Sequence, residues 1–169
     1  MPKPPNIIWM IPDDVNPGML GCYGGNALSP HIDSVAAKGV RFTEFHCDAP
    51  ACMPSRYGYL TGHYGGRCPA EQFRKDIEPG GPYKLWFNTA LDPNLERCMG
   101  HALQQAGYRT GYVGKWHAGA SPADLDAMPR LEKDADPADP DVARRMREQQ
   151  AHLSVLVRKN GFDYAERII

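Results

Sequence analysis

Asn6-Ile7-Ile8-Trp9-Met10-Ile11-Pro12 reads as a single strand closed by Asp13-Asp14. Its apolar residues are continuous rather than alternating, the pattern of a parallel strand covered on both faces. A parallel strand needs a crossover, so this stretch points to an α/β fold. In open α/β sheets ligands bind beyond the carboxyl ends of the strands, where Asp13 and Asp14 stand. Neighbouring carboxylates repel, and a cation between them removes that cost. Oxygen donors suit Ca²⁺ or Mg²⁺, although an acidic turn after a strand needs no ion.

Working outward, Asn16 to Ser29 is a glycine-containing loop, and Pro30 opens a short helix with Ser29 as a possible cap and Gly39 as its stop. Val40 to His46 alternates in polarity and predicts a second strand. Next comes Ala51-Cys52-Met53-Pro54-Ser55-Arg56, with Leu60-Thr61-Gly62 behind it. Proline suits a first helical turn, so Cys52 falls at or just before a helix N-terminus, where free N–H groups favour an anion or a thiolate. Arg56 follows one turn later on the same side. A helix is expected over 94–106, then a short strand over 110–113 that delivers Gly114-Lys115-Trp116-His117 to a second ligand edge. Lysine there can hold an oxyanion and histidine can move a proton near neutral pH. A wet turn is the structural alternative.

Residues 65–94 and 120–141 are proline-rich and read as long loops or insertions. Tyr83, Trp86 and Phe87 in the first are expected to pack it down. Residues 142–159 predict a helix stopped by Gly161. At 169 residues, 42% apolar and 23% charged, the chain can bury a core of its own. A net charge of −1 without a basic run gives no footprint for nucleic acid. No stretch approaches a membrane span. Met1-Pro2-Lys3-Pro4-Pro5 lacks a signal-peptide core, so the sequence reads as cytoplasmic as it stands, or as periplasmic or secreted if a leader was removed. The five cysteines are odd in number, and His46, Cys47, Cys52 and Cys68 follow no usual zinc spacing.

Cys-x-Pro-Ser-Arg with Leu-Thr-Gly, together with Pro5 to Asp14 and Gly114-Lys115-Trp116-His117-Ala118-Gly119, resembles the type I, formylglycine-dependent sulfatases, in matching order. The resemblance covers nearly the whole chain but only the first part of a family member. It implies an alkaline-phosphatase-like fold: a mixed, mainly parallel sheet flanked by helices, of which 1–169 would be the N-terminal portion of the catalytic domain. It implies that Asp13, Asp14 and the residue formed from Cys52 bind a divalent cation, usually calcium. It also implies that a maturation enzyme converts Cys52 to formylglycine (3-oxoalanine). Arg56 would support that residue and the metal, Lys115 would contact sulfate, and His117 would hydrogen-bond the hydrated aldehyde. Met53 and His63 depart from the small residue and the arginine common in relatives.

The implied chemistry is sulfuric ester hydrolysis. One hydroxyl of the aldehyde hydrate attacks sulfur and expels the alcohol; the other then loses its proton and collapses to the aldehyde, releasing sulfate. Substrates range over small sulfate esters and sulfated glycans. Phosphate-diester or phosphonate hydrolysis on the same fold is the enzymatic alternative, and a truncated, non-catalytic anion- or partner-binding remnant is the other. A later Asp-Asn-type pair, histidine and lysine of the family find no match after Gly119. The isolated chain is therefore expected to be weakly active or inactive, and to need a C-terminal sulfatase chain or self-association at its open sheet edge.

Overall fold

The computed structural model describes residues 4–71, 73–74 and 90–169. Tyr83, Trp86 and Phe87, and with them the expected packing of that loop, lie outside the described residues. Contacts divide the chain into two compact units, Met1–His46 and Cys47–Ile169.

The first unit is built around helix α1, Pro30–Lys38. Proline opens it, but the hydroxyl of Ser29 does not cap it. It instead accepts from the Gly21 N–H at 2.9 Å and donates to Asp33 Oδ1 at 3.0 Å. Asp33 Oδ1 also accepts from the Cys22 N–H at 2.8 Å. Two 3₁₀ turns, Pro17–Met19 and Gly21–Tyr23, are thus pinned to the start of α1. The expected strands over 6–12 and 40–46 are corrected: the described residues form no strand in either stretch, and Ile8 and Phe45 are 86% and 81% exposed. A strand is held by a neighbour's N–H and C=O groups and by cover on its faces.

The second unit contains helix α2 (Cys52–Thr61), helix α3 (Met99–Gln105), strand β1 (Gly111–Val113), helix α4 (Pro122–Asp126), helix α5 (Pro140–Lys159) and strand β2 (Tyr164–Glu166). β1 and β2 are parallel, with Tyr112 opposite Ala165, and α5 is their main crossover. Asp139 caps α5 by accepting from the N–H groups of Asp141 and Val142 at 2.8 and 3.2 Å, and Pro140 takes the first helical position. That proline begins the helix two residues before the expected start. The five-residue α4 falls inside the expected 120–141 loop; Ser121 caps it from the Asp124 N–H. The Ser121 hydroxyl holds the Asp124 carboxyl below its ordinary range, with Lys159 adding to the effect. The 94–106 helix begins later than expected, at Met99, because 93–95 form a turn closed by Asp92.

Leu60, Leu91, Cys98, Trp116, Leu156, Val157, Phe162 and Ile168 form the main core, between α2, α3, α5 and the strands. β1 is clasped to β2 by Thr110 and Asp163. The Asp163 carboxylate accepts from the Thr110 N–H at 2.8 Å, and the Asp163 N–H donates to Thr110 Oγ1 at 3.1 Å. The Thr110 N–H bond keeps the Asp163 carboxyl below its usual range. Among the described residues no helix is long and apolar enough to cross a membrane.

The start of α3 lies against the end of α5 through two glycines. A Cβ on Gly100 would stand 2.6 Å from the Gly161 carbonyl oxygen, and one on Gly161 would stand 2.3 Å from the His101 nitrogen. Gly161 also has φ +84, the left-handed region that side chains resist. Gly100→Ala should therefore destabilise by about 1–3 kcal/mol of overpacking, despite alanine's better helix propensity. Gly161→Ala should cost roughly 1–2 kcal/mol more for its backbone. Urea denaturation of both variants checks the order, and a more stable Gly161→Ala would contradict the packing.

Candidate active site

α2 begins at Cys52, with Ala51 in extended backbone as its cap residue, so the cysteine occupies the first helical position as expected. Gly62 ends the helix in the left-handed region (φ 73), donating its N–H to the Gly58 carbonyl at 2.8 Å. Gly58 makes room for another neighbour: a Cβ there would stand 2.0 Å from Asp48 Oδ2, and the carboxyl would have to shift. Burial raises the Asp48 carboxyl.

One turn into α2, Arg56 is only 5% exposed. Its Nη1 donates to the Lys115 carbonyl at 2.5 Å, to Tyr59 Oη at 3.1 Å and to Tyr112 Oη at 3.3 Å. The helix bearing Cys52 is therefore bonded directly to the turn bearing Lys115 and His117, across a sequence separation of 59 residues between Arg56 and Lys115. A buried guanidinium is costly unless its N–H groups find acceptors, and these three oxygens supply them at Nη1.

The turn after β1 alternates. Trp116, Ala118 and Ala120 are buried, while Lys115, His117 and Gly119 are half-buried. Trp116 anchors it: the Trp116 N–H donates to the Ile169 carbonyl at 2.9 Å, and the indole meets Tyr112 and Phe162 edge to face at 5.2 and 6.2 Å. Gly114 and His117 both have positive φ, 97° and 40°. Such a value at a histidine persists only where the surroundings fix it.

The opposite side of α2 is held by a buried acid. Tyr57, fully buried, donates its hydroxyl to Glu96 Oε1 at 2.5 Å, and His63 Nδ1 lies 3.3 Å from the same oxygen. The Glu96 side chain is 8% exposed. Burial, then the Glu96 carboxylate, pushes the Tyr57 phenol far above its ordinary range. Tyr57 packs in the core, and Tyr59 bonds to Arg56.

Asp13 and Asp14 lie in the first unit, exposed, with Asp14 in left-handed backbone (φ 57). The structure thus brings Arg56 together with Lys115 in one unit and carries the two aspartates in the other. Among the described residues no group of three His, Cys, Asp or Glu converges as a metal cluster. The donor types at Asp13 and Asp14 fit a hard cation, but two carboxylates are few for Ca²⁺. Sequence reading missed Tyr112 and Glu96. Tyr112 was accessible as the central residue of a short strand, whereas Glu96 sits before a helix with no periodic signal.

A family model for sulfatases matches residues 5–141. Among curated relatives, the chain is 41% identical over 121 residues to arylsulfatase D of Homo sapiens, covering 69% of this chain and 19% of the relative. It is 43% identical over 119 residues to an N-acetylgalactosamine-6-O-sulfatase of Bacteroides thetaiotaomicron, covering 70% and 21%. A solved structure from a study of glycosaminoglycan metabolism by Bacteroides thetaiotaomicron superposes with a TM-score of 0.58 at 29% identity, over 93% of this chain and 26% of that one. The chain spans about a fifth of the length of the curated relatives it matches. Its mixed helices and small parallel sheet agree with the expected alkaline-phosphatase-like α/β class, of which it shows a part. With more than half its length matched by the family model, the chain belongs to the sulfatase family.

Proposed function

We propose that the protein is a sulfuric ester hydrolase whose nucleophile is formylglycine made from Cys52, assisted by a divalent cation at Asp13 and Asp14. The observation that carries this reading is the Arg56 bond to the Lys115 carbonyl, which ties the Cys52 helix to the Lys115–His117 turn. Formylglycine supplies a hydrated aldehyde with one hydroxyl to attack sulfur and another to release sulfate. A cation, held by Asp13 and Asp14, would supply charge for sulfate oxygens and a lower pKa for the attacking hydroxyl. Lys115 places a fixed positive charge beside the oxygens of the sulfate group. His117 holds and moves a proton at the hydroxyls that Cys52 would contribute. Arg56 keeps both elements in register.

The names of relatives suggest aryl sulfates and sulfated amino sugars as the substrate panel. Intact mass and a peptide map over Cys52, on protein from its native source, test the modification, which removes about 18 Da. Parallel assays with aryl sulfate and phosphate diester test the reaction. A lighter Cys52 peptide with sulfate turnover supports the proposal; faster phosphate-diester turnover would move it to phosphoryl chemistry. An unmodified thiol in an inactive folded protein supports the binding-remnant reading.

Removal of divalent cations with a chelator should lower sulfate-ester turnover, and Ca²⁺ or Mg²⁺ should restore it. Asp13→Asn should raise the cation concentration needed, measured as half-restoration of activity and by calorimetry. Unchanged calorimetric affinity in Asp13→Asn would remove that aspartate from the ligand set.

A further inference from the structure

We propose that Tyr112 is a positioning residue for the candidate active site, its hydroxyl fixing the Lys115 carbonyl from which Lys115 and His117 are displayed. The inference rests on the reading of those two residues as site residues. Tyr112 is the middle residue of β1, paired with Ala165, and its ring is wedged edge to face against Trp116 at 5.2 Å and Phe162 at 5.3 Å. Two rings and a strand leave the phenol one direction. Its hydroxyl donates to the Lys115 carbonyl at 2.6 Å and accepts from Arg56 Nη1 at 3.3 Å.

The Lys115 oxygen also accepts from Arg56 Nη1, so strand β1 and helix α2 each place a donor on one peptide group. A carbonyl has two lone pairs, and both are used. The position of this group matters because of its neighbours. Gly114 and His117, on either side of Lys115, have positive φ. A turn with that backbone does not hold itself, and donors from outside select it over other conformers. The phenol also stays a donor: burial raises its pKa, against the opposing pull of Arg56. An aromatic residue needed only to fill this space would require no hydroxyl, since phenylalanine has the same ring.

The test is Tyr112→Phe in the full-length protein. It keeps the ring contacts and deletes the bond to Lys115. Formylglycine content should stay near wild type and the melting temperature should fall by no more than the loss of a hydrogen bond allows, while kcat for a sulfate ester falls between about tenfold and a hundredfold, with a smaller change in KM. Independently of turnover, the His117 imidazole resonances in ¹H–¹⁵N spectra should shift and broaden. Wild-type kcat together with unmoved His117 resonances would overturn the inference. A Tyr112→Phe protein that fails to fold would make the hydroxyl a stability element and equally overturn it. If wild-type protein turns over no sulfate ester, the hydrolase proposal fails, but the His117 spectra still decide the role of Tyr112.

Discussion

Cys52→Ala in the full-length protein is expected to reduce sulfate-ester turnover by a factor on the order of 10⁴ to 10⁶, the scale of losing a covalent nucleophile. Stability should barely move. Cys52 is half-buried at the first position of α2, Ala51 rather than Cys52 is the cap residue, and the helix gains no side-chain cap there. Alanine is at least as good a helix former. The measurement is a progress curve with an aryl sulfate beside a thermal melt, on protein whose wild-type form has been checked for formylglycine. An active Cys52→Ala would remove Cys52 from the chemistry altogether. An inactive but also unfolded variant would contradict the geometry, because no contact described for Cys52 accounts for such a loss. The outcome separates a residue that reacts from one that supports, the distinction the buried environment of Arg56 raises for its neighbour one turn away.

Sequence was most informative where local rules decide structure. The proline after Cys52 placed the start of α2, and Gly161 marked the end of α5, where it takes positive φ. The 110–113 strand and the turn after it were legible because short apolar segments between glycines leave few alternatives. Legibility failed where structure depends on a remote partner. Ile7 to Ile11 carries a strong strand pattern, yet a strand belongs to two segments at once, and none forms here among the described residues. Val40 to His46 fails for the same reason. Tyr112 and Glu96 were missed because each draws its meaning from residues far away in sequence: Arg56 is 56 residues from Tyr112, and Tyr57 is 39 from Glu96. Motif spacing nominated Lys115, but the fold shows that its backbone oxygen meets Arg56, a contact invisible in a pattern of side chains.

That contact gives the second large expectation. Arg56→Ala should destabilise the protein by about 2–4 kcal/mol, from the loss of charged hydrogen bonds and of packing at a 5% exposed site. Arg56→Lys should recover only part of the loss: the acceptors on Tyr59, Tyr112 and Lys115 all face one nitrogen, Nη1, whose charge an ammonium can supply, but the packing of the guanidinium plane is lost. Urea unfolding gives the stability change, and sulfate-ester kinetics should show a loss in both variants if α2 and the Lys115 turn fall out of register. A double-mutant cycle with Tyr112→Phe makes the argument specific. Arg56 and Tyr112 share the Lys115 oxygen and also touch one another, so their effects should be non-additive by about 0.5–3 kcal/mol. Each single change leaves one of these two donors on the carbonyl, whereas the double change removes both from a part-buried acceptor. Strict additivity would mean that the two residues stabilise the protein independently. The shared clamp would then fall, together with the argument that it holds the Lys115–His117 turn against the Cys52 helix.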